Sequence, residues 1–253
     1  MASFTQCLTL FAVLYIIHSM NTIPTTHISQ KEYEASPWDT TVALRGGLKV
    51  FRHPLNCDLA LDSKENEPLL PGMPTVDERK DQMLQRLKEA YDRKSFHRYV
   101  FFHARPFRFQ AGLDTREWMP EDEWYTLMGE IWTDAEGPGI NKDIWEMMVF
   151  NPTHGRKTML EEEMAYLNAL PDVITAYRGS HTMAGAVKGL SWTVDKEKAV
   201  WFAKRFQPKK SWLATIEVPK EEVLAAFTRR GESELIISTS RGRSHKVHTA
   251  VLP

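Results

Sequence analysis

The stretch Arg230-Gly231-Glu232-Ser233-Glu234-Leu235-Ile236-Ile237 sets two carboxylates two residues apart, between a glycine and a short apolar run. If Leu235 to Ile237 is a strand, both glutamates stand at its mouth. They then project to the same side, because side chains along an extended chain repeat every two residues. Paired carboxylates at a loop-to-strand junction suit a substrate with positive charge, either a developing cation or a guanidinium. The same residues also read as a solvated acidic turn, and the rest of the chain must separate the two readings.

Working outward, the apolar period shifts towards two after Pro171. Val173 to Arg178 reads as a strand ending in Tyr177-Arg178-Gly179, and Leu190 to Thr193 reads as a second. Trp212 to Val218 is a third, with Trp212, Ala214, Ile216 and Val218 on one face. Leu235 to Ile237 and Val247 to Leu252 complete the set. Between them, Asp195 can cap a helix whose inner face carries Ala199, Phe202, Ala203 and Phe206. Pro219 opens a short helix bearing Val223, Leu224 and Phe227, and Gly179 to Gly189 reads as a bare loop. Short strands interleaved with short helices predict an α+β region over 171–253, with a mixed or antiparallel sheet.

Upstream, residues 76–170 read as a helical layer. Thr75-Val76-Asp77-Glu78 is a capping box, followed by Leu84, Leu87 and Tyr91 on one face of a helix over 76–95. Pro120 suits a first helical turn, before an apolar face of Trp124, Leu127, Met128 and Ile131. Glu136-Gly137-Pro138-Gly139 breaks that helix. Asn141 can cap a short one with Ile144, Trp145 and Met148. Thr158-Met159-Leu160-Glu161 reads as a second capping box, opening a helix that ends at Pro171. The Trp and Met stripes at helical spacing are core. Residues 1–75 lack periodicity and read as a poorly ordered extension, closed by a linker at Glu67 to Pro74.

The bulk numbers exclude several classes. The chain has 253 residues, a formal net charge of −1 and 42% hydrophobic residues, which fits an ordinary globular protein. Such a balance does not point to nucleic acid. Cys7 and Cys57 form no CxxC pair, and the nine histidines show no metal-ligand spacing, so no metal site is expected. The apolar run Leu8 to Ile17 is shorter than the roughly 20 residues of a membrane span. It leaves a secretory signal open beside a cytoplasmic location.

Four pieces now fall in order: Tyr177-Arg178-Gly179, Gly189-Leu190-Ser191-Trp192-Thr193, the helix containing Phe202-Ala203, and Glu232-Ser233-Glu234. Over residues 171–238 the chain resembles the arginine-type ADP-ribosyltransferases, including phage-encoded members of that group. The family pattern is an Arg on the first core strand, Ser-x-Ser or Ser-x-Thr on a later strand, and Glu-x-Glu on a loop. The resemblance implies an NAD-dependent enzyme that releases nicotinamide and moves ADP-ribose to a protein side chain, with arginine preferred. It implies Glu234 and Glu232 as catalytic residues. It implies Arg178, Gly179, Ser191, Thr193 and Tyr177 as NAD-binding residues. Arg178 would pair a phosphate through its fork of donors, and Ser191 would orient the catalytic carboxylate. Glu234 would answer the charge building on the ribose, and Glu232 would hold or deprotonate an acceptor guanidinium. Tyr177, Trp192 and Phe202 are available to stack on a ring.

Other readings of the same residues stay open. Arg178 can be a surface ion pair, Ser191 a strand-end hydroxyl, and Thr193 a strand terminator. The scaffold can serve a non-enzymatic interaction protein, or an enzyme directed at a nucleotide or RNA end through Arg178 and the basic tail Arg241 to Lys246. Fold resemblance alone does not choose among these.

Overall fold

A computed structural model describes residues 40–43, 48–55, 59–62, 72–135, 141–239 and 246–252. The apolar run Leu8 to Ile17, both cysteines, the break at 136–139 and most of the linker and basic tail lie outside the described residues. The chain divides into two compact units, Met1–Trp118 and Met119–Pro253. The division falls inside the stretch expected to be one helical layer.

Among the described residues, the first unit pairs a small sheet with three helices. β1 (Thr40–Ala43), β2 (Leu48–Arg52) and β3 (Leu59–Asp62) form an antiparallel meander. These strands fall where weak order was expected. Each has only four or five residues, too few for a period-two pattern to stand out in sequence. α1 (Val76–Asp92), α2 (Phe96–Phe101) and α3 (Arg105–Asp114) follow. The capping box is present: Glu78 N–H donates to Thr75 Oγ1 at 3.3 Å, and Thr75 N–H donates to Glu78 Oε2 at 2.8 Å. The inner stripe of α1 is Met83 and Ala90, with Val76 and Leu87 partly covered, packed on Phe51, Leu55 and Leu61. Leu84 and Tyr91, expected inside, are about half exposed. The buried face is rotated by one residue, because Ala90 and Met83 hold it where the bulkier Tyr91 and Leu84 were expected. Tyr91 packs instead on the rings of Phe96, Tyr99 and Trp118.

The second unit is built on a six-stranded antiparallel sheet in the order β7-β8-β5-β4-β6-β9. β4 is Val173–Ser180, β5 Ser191–Thr193, β6 Ser211–Pro219, β7 Ala225–Phe227, β8 Glu234–Ile236 and β9 His248–Leu252. Its helices among the described residues are α4 (Glu121–Asp134), α5 (Lys142–Ile144), α6 (Glu161–Ala169), α7 (Met183–Lys188) and α8 (Lys196–Lys204). The architecture is therefore α+β. The expected face of α4 is buried, and Asp195 caps α8 by accepting from Lys198 N–H at 3.0 Å.

Several local expectations are corrected. The helix expected after Pro219 is a 3-10 turn (Lys220–Glu222) followed by β7. Val223 to Phe227 are buried without interruption, which suits a strand inside a sheet better than an amphipathic helix. The loop expected at 179–189 contains α7, capped by the Thr182 side chain, which accepts from Gly185 N–H at 3.0 Å. Thr158 lies in a 3-10 turn (Gly155–Thr158) and bonds Gly155 O, so it is no cap. The start of α6 is held instead by Glu163, whose Oε2 accepts from Leu160 N–H at 2.8 Å. Asn141 makes no side-chain cap, and α5 runs into a π-turn over Trp145–Val149. Phe206 lies beyond α8 and is exposed.

Candidate functional site

The sheet register assembles the predicted carboxylate site. Glu234, the first residue of β8, sits opposite Thr193 on β5, and Thr193 sits opposite Tyr177 on β4. Phe227 on β7 flanks Glu234 from the other side. Ser191, two residues before Thr193, shares its face of the sheet. Its hydroxyl hydrogen-bonds the Glu234 carboxyl. A second bond comes from Trp132 on α4, whose indole Nε1–H donates to Glu234 Oε1 at 3.2 Å. Glu234 thus has two neutral donors fixed upon it, one from the sheet and one from a helix.

The surroundings explain its electrostatics. Trp132 meets Trp145 edge-on at 5.2 Å and Phe150 at 4.8 Å between ring centroids, and Phe150 meets Phe227 at 6.1 Å. This aromatic wall strips water from the carboxyl. Burial pushes the Glu234 pKa up from 4.5 to about 7, against the lowering pull of the Ser191 and Trp132 bonds. The Glu232 charge pushes it further up, and the Arg178 charge pulls it down. By accessible surface Glu234 is only half-buried, so the carboxyl is desolvated yet still within reach of the surface. Such a carboxyl can carry or lose a proton near neutral pH, which suits acid–base and electrostatic work.

The turn that delivers the glutamates is fastened by three cations. Arg229 pairs with the fully buried Glu163 on α6 through two parallel bonds, Nε to Oε1 at 2.9 Å and Nη2 to Oε2 at 2.8 Å. Arg230, in the left-handed region at φ 63°, donates from Nη1 to Thr133 O at 2.7 Å. Lys198 on α8 donates from Nζ to Gly231 O at 2.8 Å. Gly231 takes φ 67°, a conformation that costs a glycine little. Two residues of positive φ in succession turn the chain sharply into Glu232. Glu232 is half-buried, and its N–H donates to Arg229 O at 3.3 Å.

The other predicted residues divide. Arg178 lies close enough to Glu234 to lower its pKa, but the guanidinium is partly engaged with backbone. Its Nε donates to Gly185 O at 2.9 Å and its Nη1 donates to Ser191 O. Nη2 makes no hydrogen bond among the described residues and lies against Gly189, where an added Cβ would come within 2.3 Å of it. That leaves donors for a phosphate oxygen. Gly179 has a packing role: a Cβ there would lie 1.8 Å from Ala199 O on α8. Thr193 is buried, and its Oγ1 accepts from Asp195 N–H at 3.1 Å, which ends β5 before α8. Tyr177 is half-buried on the Glu234 row. Trp192 is buried in the core and donates to Gly189 O at 3.0 Å, so it offers no stacking face. Phe202 is half-buried under the Arg205 guanidinium, 5.1 Å from its ring centre.

Sequence reasoning did not single out Trp132, Glu163 or Arg229. A buried indole needs an acceptor, which was a signal for Trp132, but its acceptor lies 102 residues away. Glu163 looked like one more residue in the acidic first turn of α6. Among the described residues, no group of three or more His, Cys, Asp or Glu could hold a metal ion, and no helix is long and apolar enough to cross a membrane. Comparison with protein-family models, curated proteins and solved structures gives no match for this chain.

Proposed function

We propose that this chain is an ADP-ribosyltransferase-like enzyme that cleaves NAD at the nicotinamide ribose and transfers ADP-ribose to a protein side chain, arginine by preference. The observation that carries the reading is the Ser191–Glu234–Trp132 arrangement, with Glu232 two residues before Glu234 and the Arg178 charge beside it. A carboxylate held by two donors against an aromatic wall is preorganised to face a centre that becomes positive. In the proposed reaction the bond between ribose C1′ and the nicotinamide nitrogen breaks, and its electron pair leaves with nicotinamide. Ionised Glu234 stabilises the oxocarbenium-like C1′. The acceptor guanidinium then forms the new C1′–N bond and gives its proton to Glu232. Arg178 fits the pyrophosphate through the donors not bound to backbone.

The test supplies NAD labelled in its adenylate half together with cell lysate and polyarginine. The reading expects label to become covalently attached to protein and to polyarginine. Glu232→Ala should lose transfer to arginine while still releasing nicotinamide. Equal transfer to arginine by Glu232→Ala would overturn the acceptor preference, and absence of any labelling would favour a binding protein.

A further inference from the structure

We infer that the first unit carries a separate site for a compact phosphate-bearing anion, in the groove between α1 and α2. Arg86 on α1 and Arg93, the residue that caps its C-terminus, are seven residues apart, and Arg98 on α2 lines the same cleft. The two helices are joined by a tight turn in which Lys94 takes φ 54°. Ala90, buried at the floor, leaves open the space a larger side chain would fill. The result is a cleft of about 260 Å³ whose lining includes Arg86, Arg93, Arg98 and Ser95.

The charge balance of the cleft is unusual. None of the three guanidiniums has a hydrogen bond or ion pair among the described residues. The single acid in the lining, Glu89, is positioned to pair with Arg86 or Arg93 along the helix. It instead accepts from Gln85 Nε2 at 3.1 Å. Two other cations on this unit are engaged, Lys88 with Asp92 and Arg108 with His103 O, whereas Arg79 and Lys94 make no side-chain bond among the described residues. Three arginines lining one cleft, from α1, the turn after it and α2, match an anion with oxygens in several directions. A tetrahedral phosphate offers that, whereas a carboxylate offers two oxygens in one plane. The volume is below the range typical of whole drug-sized ligands, so the match is to a phosphate or pyrophosphate group rather than to an entire dinucleotide. The inference does not rest on the Glu234 chemistry.

The experiment titrates the full chain with inorganic pyrophosphate by calorimetry at low salt, with orthophosphate and citrate in parallel. The expected result is saturable pyrophosphate binding at one groove site, weaker orthophosphate binding, and citrate weaker than both. Arg93→Ala and Arg98→Ala should each weaken pyrophosphate by about tenfold or more, the scale of one hydrogen bond to a charged group. Arg178→Ala, which removes the pyrophosphate donors proposed at the Glu234 site, should leave the groove component of binding in place, while the triple variant of the groove arginines Arg86, Arg93 and Arg98 to Ala should remove it. The groove arginines are exposed, so their variants should fold, which far-ultraviolet circular dichroism checks. Undetectable pyrophosphate binding, citrate binding as tight as pyrophosphate, or full affinity in the folded triple variant would each overturn the assignment.

Discussion

Replacing Glu163 by glutamine should unfasten the turn that carries the two glutamates. The Glu163 carboxylate is fully buried and accepts four bonds: from Arg229 Nε at 2.9 Å, Arg229 Nη2 at 2.8 Å, Leu160 N–H at 2.8 Å and Thr228 N–H at 3.3 Å. Each oxygen faces one guanidinium donor and one backbone donor. An amide in either orientation therefore turns its NH₂ towards two donors, and two bonds are lost whichever way it flips. The Arg229 charge, with a side chain only 16% exposed, also loses its counter-ion. Removing one partner of a buried pair costs about 3–5 kcal/mol. Because Arg229 keeps some contact with water, the lower end of that range, about 3 kcal/mol, is expected here. The assay is urea unfolding of the full chain followed by tryptophan fluorescence. Six of the eight tryptophans lie in the second unit, so the signal reports mainly on it. A paired variant, Glu163→Met with Arg229→Met, should recover much of the loss, because it leaves no uncompensated charge. A Glu163→Gln chain within about 0.5 kcal/mol of the parent, the usual range of surface changes, would refute the reasoning.

Two further outcomes follow from the same geometry. Because the Glu234 pKa rises from 4.5 in the unfolded chain to about 7 in the folded one, the folded state holds the proton more tightly between those values. That stability is present below pH 4.5 and lost as pH rises through about 7, with a ceiling on the order of 3 kcal/mol that solvent at this half-buried group will reduce. Glu234→Gln should therefore flatten the stability–pH curve over pH 5–8, while nicotinamide release by the parent rises with pH over the same window as the carboxylate ionises; parallel curves for parent and variant would contradict this. Gly179→Ala should lower the melting temperature by several degrees, since its Cβ would meet backbone atoms of α8 at 1.8 Å (Ala199 O) and 2.8 Å (Ala203 N), and overpacking of this kind costs about 1–3 kcal/mol. An unchanged melting temperature would show that α8 yields freely.

What was legible in the sequence follows from how local each signal is. β4, β5, β6, β8 and β9 were readable because alternating apolar residues and turn residues are local signals, and the Thr75 box was readable for the same reason. β7 was missed because a fully buried run such as Val223 to Phe227 has no period that separates strand from helix. α7 was missed because Gly185 and Gly189 argue against a helix in isolation. Here Gly189 serves close packing on Arg178 and Thr182 supplies the cap. The placement of Ser191 and Glu234 on neighbouring strands was legible, since two short strands can be set side by side by register. Trp132 and the Glu163–Arg229 pair could not be found this way. Each acts across more than 60 residues, and neither leaves a spacing to read. The sequence also left Trp192 available to stack on a ring, and the fold instead buries it in the core.

The most direct test of the account is nicotinamide release from NAD by the full chain and by its Glu234→Gln variant, with the fold of both verified by circular dichroism. The account predicts measurable release by the parent and a loss on the order of a hundredfold or more in the variant, the scale of removing one preorganised electrostatic group. Equal release by a folded Glu234→Gln chain, or none from the folded parent with lysate supplied as acceptor, would contradict it.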